Sequence, residues 1–181
     1  MARNITKSEL RSFVTISLES ANLIKSSSQA EGATVFLSHS SKDTDLVPGS
    51  IKVLKNHGAT VYIDEIDPEM PPYTSSETAA LIKTRIRQTK RFVLLTSDNS
   101  KDSKWVPWEL GIADGEKGIS SIALFPASDS QYLDSWTSWE YLGLYERIVW
   151  GKLNGYNDEL WMVLNHKKNT AVPLRDWLSG R

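Results

Sequence analysis

The middle of the chain alternates short apolar segments with segments of helical periodicity, and this alternation constrains the fold most. The pattern predicts strands at residues 34–38, 60–64, 91–97 and 119–125 and helices at residues 46–57, 76–88 and 105–117. Strands that alternate with helices form a parallel sheet with helices on both faces. Phe92-Val93-Leu94-Leu95 is apolar without alternation, as expected for a strand buried on both sides. The sequence therefore predicts an open α/β sheet.

An N-terminal helix and linker, residues 1–32, are expected ahead of a main domain at residues 33–181. Apolar side chains recur every three or four residues through residues 10–24, and Thr6 with Glu9 makes a capping box ahead of them. These features predict one amphipathic helix. The serine-rich run that follows it indicates a linker.

The C-terminal part is rich in aromatic residues and harder to assign. Residues 145–150 resemble a fifth strand, and residues 158–165 are predicted to be a helix. Five of the seven tryptophans lie in this part: Trp136, Trp139, Trp150, Trp161 and Trp177. Tryptophan can mark a surface that binds a partner, but it more often fills the core or covers a sheet edge. We favour core packing.

Composition excludes several classes of function. The 181 residues carry a formal net charge of −1, so no overall positive field would attract nucleic acid or anionic lipid. The absence of cysteine excludes disulfides, thiolate metal sites and a cysteine nucleophile, and the three histidines are scattered. Neither a signal peptide nor a membrane span is recognisable. We therefore expect a cytoplasmic protein without a metal site, a nucleic-acid partner or a membrane partner.

Two polar clusters are predicted to meet at one cleft. In an open sheet, ligands bind outside the carboxyl ends of the strands, where the strand order reverses. If the order is 2-1-3-4-5, the first and third strands flank that cleft. The first strand runs into Ser38-His39-Ser40-Ser41-Lys42, and the third is followed by Ser97-Asp98 and the helix that carries Trp105 and Glu109.

The turn after the first strand has two possible roles. Ser40 can simply cap the next helix, with Asp43 in the third position. Alternatively, backbone N–H groups at the helix start bind phosphate together with Ser38, Ser40 and Lys42. The chain contains neither a GxGxxG motif nor a Walker loop, so a nucleotide would have to be held by another geometry.

The segment Trp105-Val106-Pro107-Trp108-Glu109 also has two possible roles. Pro107 suits a first helical turn, and Trp105 and Glu109 are four residues apart, so they share one face of the helix. In one role, Glu109 only complements the helix dipole while both tryptophans pack in the core. Its predicted position at the cleft favours a role in chemistry.

The loop at residues 64–73, after the second strand, carries four carboxylates and three prolines. It lacks the register of an EF-hand calcium loop, so a solvated surface loop is favoured over a metal site. Its length favours a lid or contact surface over a simple connection. Thr74 and Glu77 are predicted to form a capping box at the start of the helix that follows.

Four motifs in order, VFLSHSSKD, VYID, RFVLLTS and SKWVPWEL, resemble those of a TIR domain over residues 33–125. The resemblance implies a flavodoxin-like fold with five parallel strands and self-association through the loop at residues 64–73, which is called the BB loop in the family. It also implies cleavage of NAD+ at the nicotinamide glycosidic bond by Glu109. Stand-alone members in Thoeris anti-phage systems convert NAD+ into a cyclic ADP-ribose signal that a separate effector reads.

The resemblance implies that Glu109 is the catalytic residue and that NAD+ is the substrate rather than a cofactor. Bond cleavage leaves an oxocarbenium-like cation on the ribose, which a carboxylate stabilises. Seven further side chains are expected to bind the substrate: Phe36, Ser38, His39, Ser40, Lys42, Asp64 and Trp105. Phe36 and Trp105 would form aromatic walls of the cleft, and Asp64 would lie at its mouth.

Two alternatives of other kinds stay open at this point. The chain could be a non-catalytic scaffold that acts by contact between TIR domains. It could also be related to nucleoside deoxyribosyltransferases, which share the fold type and a glutamate in the cleft. If NAD+ is cleaved, the sequence does not choose between linear ADP-ribose and a cyclic product.

Overall fold

In the part of the chain that the structure describes, one eight-stranded sheet organises the fold. The computed structural model describes residues 2–15, 17–28, 31–64, 67, 69, 75–131 and 141–180. The strands are β1 (Ile5–Thr6), β2 (Val35–Ser38), β3 (Val61–Tyr62), β4 (Arg91–Thr96), β5 (Ile122–Ser128), β6 (Glu146–Lys152), β7 (Glu159–Asn165) and β8 (Thr170–Pro173). The helices are α1 (Lys7–Ser12), α2 (Ser17–Ser26), α3 (Val47–Asn56), α4 (Ser76–Gln88), α5 (Trp105–Lys117) and α6 (Leu174–Ser179).

Five parallel strands in the order β3-β2-β4-β5-β6 form the centre of the sheet. This is the predicted order 2-1-3-4-5, which is therefore confirmed. Strands β2 and β4 are neighbours in parallel register, with Val35 opposite Arg91. Their carboxyl ends consequently lie side by side at the edge where the cleft was predicted.

Strand β4 contributes to a separate apolar core on each face of the sheet. Val93 and Leu95 pack in one core, together with side chains of α1, α3 and α6. Phe92 and Leu94 pack in the other, together with side chains of α4 and α5. All four side chains are fully buried, which confirms the prediction of a strand covered on both sides.

The predicted helix at residues 158–165 is wrong, because these residues form β7. Strand β7 pairs antiparallel with β6, with Trp150 opposite Trp161, and also with β8. A short apolar run cannot be assigned to helix or strand by periodicity alone, and pairing with a neighbour decided the matter here. Strand β8 and helix α6 were not predicted.

Three of the five C-terminal tryptophans pack against the core, as predicted. Trp161 and Trp177 are buried, and Trp150 is half-buried against the same cluster. Trp161 makes edge-to-face contacts with Phe125 and Trp150, both at 5.5 Å between ring centroids. The predictions for Trp136 and Trp139 fall outside the described residues.

The single N-terminal helix predicted over residues 10–24 is instead two helices, α1 and α2, with a strand ahead of them. The capping box is confirmed: Glu9 N donates to Thr6 Oγ1 at 3.1 Å, and Thr6 N donates to Glu9 Oε2 at 2.9 Å. Val14 and Thr15 lie between the two helices, and such β-branched residues disfavour a continuous helix.

The N-terminal segment joins the sheet at two distant places. Strand β1 pairs with the end of β5, and Arg3 forms a bridge with Trp150 of β6. After α2, the buried Ser27 accepts a hydrogen bond on its carbonyl oxygen from Ile63 N at 2.8 Å, just beyond β3. The segment therefore fixes the chain immediately before Asp64.

The start of α4 was predicted correctly, but its cap was not. Ser75 is the N-cap, and Thr78 N donates to its Oγ at 3.3 Å, while Ser75 N donates to Thr78 Oγ1 at the same distance. The predicted pair was Thr74 and Glu77, one residue earlier, and Thr74 lies outside the described residues. Adjacent hydroxyl residues at 74–76 made the register ambiguous in the sequence.

Helix α1 lies close against α3 at Gly49, so we expect Gly49→Ala to destabilise the fold. An added Cβ would lie 2.0 Å from the carbonyl oxygen of Leu10, which forces the two helices apart. Overpacking of this kind costs about 1–3 kcal/mol of unfolding free energy, measured by urea denaturation. Gly115→Ala is the matched control, since no atom lies within 4 Å of its added Cβ. Equal stability of the two variants would contradict the prediction.

Candidate active site

Glu109, Ser38 and Asp64 come together at the carboxyl ends of β2 and β3. Ser38 is the last residue of β2, and Glu109 lies in the second turn of α5. Ser38 Oγ donates a hydrogen bond to Glu109 Oε2 at 2.5 Å, joining residues 71 positions apart. Ser38 is fully buried and Glu109 is only 3% exposed. The predicted convergence of the two polar clusters is therefore present at these residues.

Asp64 lies beside Glu109. The parallel register that sets Phe36 opposite Tyr62 brings Asp64 next to the end of β2, close enough for its charge to act on Glu109. Burial raises the pKa of Glu109 well above its usual value, and the negative charge of Asp64 raises it further. The hydrogen bond from Ser38 acts in the opposite direction because it favours the carboxylate. Glu109 is therefore a carboxyl that resists ionisation, next to a second carboxyl.

Asp64 is held in place through its backbone. Its carbonyl oxygen accepts a hydrogen bond from Asp67 N at 3.1 Å, and the preceding residue, Ile63, is bound to Ser27. Asp64 itself is half-buried, in contrast to Glu109. The pair thus has one member in the interior and one nearer to solvent.

Asp67 anchors the described start of the loop after β3. The Tyr62 hydroxyl donates to Asp67 Oδ2 at 2.7 Å, and Arg85 Nε donates to the same atom at 3.0 Å. Burial opposes ionisation of Asp67, but these bonds and one from Glu69 N hold its pKa below the usual range. Arg85 also pairs with Glu69. The rest of the predicted contact surface at residues 64–73 lies outside the described residues.

The turn after β2 is capped locally and is also joined to the turn after β4. Ser40 is buried and accepts a hydrogen bond from Lys42 N at 3.3 Å, so the predicted capping role is present. Asp43 does not complete a capping box. Its carboxylate accepts hydrogen bonds from Ser97 Oγ and Asn99 Nδ2, each at 2.6 Å. Sequence reasoning missed this cross-link, although both turns were predicted at the same edge.

His39 and Lys42 occupy less buried positions in that turn. The side chain of Lys42 is 62% exposed, and its Nζ lies 3.6 Å from an oxygen of Asp102. His39 follows Ser38 directly and is half-buried. Their predicted contacts with substrate stay predictions.

The two predicted aromatic walls lie in different surroundings. Phe36 is fully buried in the core, stacked on Phe92 at 5.5 Å and tilted against Tyr62 at 5.3 Å between ring centroids. It supports the face of β2 that carries Ser38, since residues two apart share a face. Trp105 is half-buried at the first position of α5 and contacts Trp108 edge to face at 5.2 Å. Substrate contact by either ring stays a prediction.

The family model described as "TIR domain" matches residues 35–159, well over half of the chain. The chain belongs to the TIR domain family. The predicted resemblance is thereby confirmed. The TIR match contains all five parallel strands, Ser38, Asp64 and Glu109. Strand β1, helices α1 and α2, strand β8 and helix α6 lie outside it.

Two curated TIR relatives carry names that describe an activity. The chain is 35% identical over 147 residues to "Probable 3' cyclic ADP-D-ribose synthase ThsB'" of Bacillus cereus (strain MSX-D12), which covers 80% of this chain and 74% of the relative. It is also 35% identical over 79 residues to "Putative cyclic ADP-D-ribose synthase TIR2" of Cytobacillus dafuensis. That second match covers 42% of this chain and 21% of the relative.

We expect Glu109→Gln to stabilise the protein at neutral pH and to make its stability less dependent on pH. The folded protein holds a proton on Glu109 at pH values where the unfolded chain, with a pKa near 4.5, has lost it. Unfolding therefore releases a proton, and stability falls as pH rises from 4.5 towards the folded pKa. A Gln side chain does not ionise, so Glu109→Gln does not lose stability in this way as pH rises.

Urea denaturation of both proteins between pH 4 and pH 8 would measure the effect, with the exposed Glu31→Gln as the matched control. The gain in unfolding free energy of Glu109→Gln over the wild type should grow as pH rises, and the control should show no such gain. A gain of equal size at all pH values would contradict the assignment of a raised pKa.

Proposed function

We propose that the chain cleaves NAD+ at the bond between nicotinamide and ribose and forms a cyclic ADP-ribose that serves as an anti-phage immune signal. Glu109, buried against Ser38 at the carboxyl end of the sheet with Asp64 beside it, carries this proposal. Membership of the TIR family and two relatives named as cyclic ADP-D-ribose synthases support it.

The site suits a reaction that develops positive charge. When the C–N bond of NAD+ breaks, its electron pair leaves with nicotinamide, which departs neutral and needs no general acid. The ribose is left with an oxocarbenium-like cation, which a carboxylate stabilises. Because Glu109 is only 3% exposed, its charge acts in surroundings that screen it weakly. Ser38 orients the carboxylate by donating to Oε2.

We further propose that the product is cyclic rather than linear. A ribose cation can be captured by water or by a hydroxyl group on the adenosine side of the same molecule. Burial of Glu109 and Ser38 supports a site that limits access of water during the reaction. The names of both relatives agree with this outcome.

A non-catalytic TIR scaffold is less well supported than an enzyme. Burying an ionisable group costs free energy, and a scaffold would gain nothing from a carboxyl such as Glu109 that is buried at the end of the sheet. A nucleoside deoxyribosyltransferase is disfavoured by the TIR match over residues 35–159. Self-association through the loop at residues 64–73 and a separate effector that reads the product remain part of the proposal.

Location and cofactor use are also proposals. No helix in the described part of the chain is long and apolar enough to cross a membrane. We propose that the protein acts in the cytoplasm on NAD+ as a substrate, without a bound cofactor or metal and without a nucleic-acid partner.

We expect Glu109→Gln and Glu109→Ala to abolish most NAD+ cleavage. Loss of one group that stabilises charge in a transition state costs about 100-fold to 1,000-fold in rate. Concentrated wild-type protein, both variants and the control Glu31→Gln would be incubated with NAD+, and nicotinamide, ADP-ribose and cyclic products would be resolved by mass spectrometry. Cleavage by both Glu109 variants at the wild-type rate would refute the site. The scaffold hypothesis would be favoured if the wild-type protein associates with a second copy of itself but never consumes NAD+, even with a lysate of infected cells.

If activity requires self-association, the specific activity of the wild-type protein should rise with protein concentration. A second subunit is bound more fully at higher concentration, so each molecule spends more time in the active assembly. Initial rates of nicotinamide release between nanomolar and high micromolar protein would measure this, with light scattering on the same samples. A specific activity that stays constant while the assembly forms would show that self-association is not required.

A further inference from the structure

The unequal burial of the two carboxyls suggests a division of roles within the site, and this inference rests on the proposed function. Glu109 is 3% exposed and hydrogen-bonded to Ser38, whereas Asp64 is half-buried and adjoins the loop after β3. A carboxyl in the interior exchanges protons with solvent slowly unless another group relays them. Asp64 lies beside the end of β2, next to Glu109, and is nearer to solvent, so it can serve as that relay.

The charged groups around the pair agree with such a role. Strand β2 contributes the neutral Ser38 hydroxyl, with His39 next to it, and the residue after β3 contributes the charge of Asp64. Arg85 of α4 is bound to Asp67 and Glu69. Among the described residues, Asp64 is the charged group that raises the pKa of Glu109, so the ionisation of the two carboxyls is linked.

The backbone keeps Asp64 in register with Glu109. Ile63 N is bound to the carbonyl oxygen of Ser27, and Asp67 N is bound to the carbonyl oxygen of Asp64. The Asp67 side chain is in turn bound by Tyr62 and Arg85. The backbone is thus fixed on both sides of Asp64. A side chain that must stay beside a partner needs such support.

We propose that Asp64 is a positioning residue that acts through Glu109 as its proton partner. Before reaction the pair holds one proton and one negative charge. As the C–N bond of NAD+ breaks and its electron pair leaves with nicotinamide, the proton settles on Asp64 and the negative charge on Glu109 faces the ribose cation. A hydroxyl oxygen then bonds to the cation, its proton passes to Glu109, and Asp64 releases the proton it holds to solvent.

The first test measures the pair without relying on catalysis. Carbon-13 NMR of carboxyl-labelled glutamate would give the pKa of Glu109 in the wild type, in Asp64→Asn and in the control Asp158→Asn, with Glu109→Gln used to assign the signal. We expect a lower pKa of Glu109 in Asp64→Asn than in the wild type and no change in the control. The same pKa in all three proteins would overturn the proposal.

If circular dichroism shows that Asp64→Asn does not fold, a second measurement takes the place of the first. Carboxyl-labelled aspartate would then report on Asp64 in the wild type and in Glu109→Gln. If the two groups share a proton, removing the charge of Glu109 makes Asp64 titrate in a single step at a different pH. An unchanged titration of Asp64 would overturn the proposal equally well.

The last test concerns the role of Asp64 in turnover. We expect Asp64→Asn to lower kcat by about 100-fold, which is typical of the loss of a proton-transfer group, and to move the acid limb of the kcat/KM profile to lower pH. A purely structural role would lower the rate equally at every pH. If kcat stays within about twofold of the wild type, the relay is refuted. If the wild type never consumes NAD+, the proposed function fails, while the NMR titration still decides whether the pair exists.

Discussion

The hydrogen bond from Ser38 to Glu109 is the interaction on which the rest of the site depends. It joins the end of β2 to the second turn of α5 across 71 residues of sequence, in a place where both side chains are buried. A carboxyl group in such surroundings costs free energy unless it is hydrogen-bonded or protonated. Here Ser38 donates to one carboxyl oxygen, and the raised pKa of Glu109, caused by burial and by the charge of Asp64, favours its protonated form. The packing of the surrounding sheet and helices must supply the free energy that keeps Ser38 and Glu109 buried together.

The N-terminal segment is part of that supporting structure, although it lies outside the residues that match the TIR family. Strand β1 extends the sheet beside β5, and the chain after α2 binds Ile63 through Ser27. The second contact falls one residue before Asp64. A segment that looked like a helix and linker in the sequence therefore contributes to the position of a site residue. Asp43 has a comparable effect on the opposite side, because it binds Ser97 and Asn99 and keeps the turns after β2 and β4 together.

The sequence predicted the parts of the fold that local patterns determine. Helices α4 and α5 have the predicted bounds, and the strand order is the flavodoxin-like order that the TIR resemblance implies. The sequence prediction failed at β7, where a short apolar run was assigned to a helix, because pairing with a distant strand has no local signature. The site shows the same limit. Glu109 was found from a motif, but its position beside Asp64 and the burial of Phe36 depend on contacts between elements far apart in sequence.

The position of Arg85 explains why the pair can remain available for chemistry. Had this guanidinium faced Glu109, it would have held the carboxylate ionised in a strong ion pair, and a developing cation would have had to compete with a permanent one. Arg85 is bound instead to Asp67 and Glu69, where it fixes the start of the loop after β3. In the proposed reaction, the negative charge of Glu109 is therefore compensated by the substrate, at the moment when the ribose becomes positive.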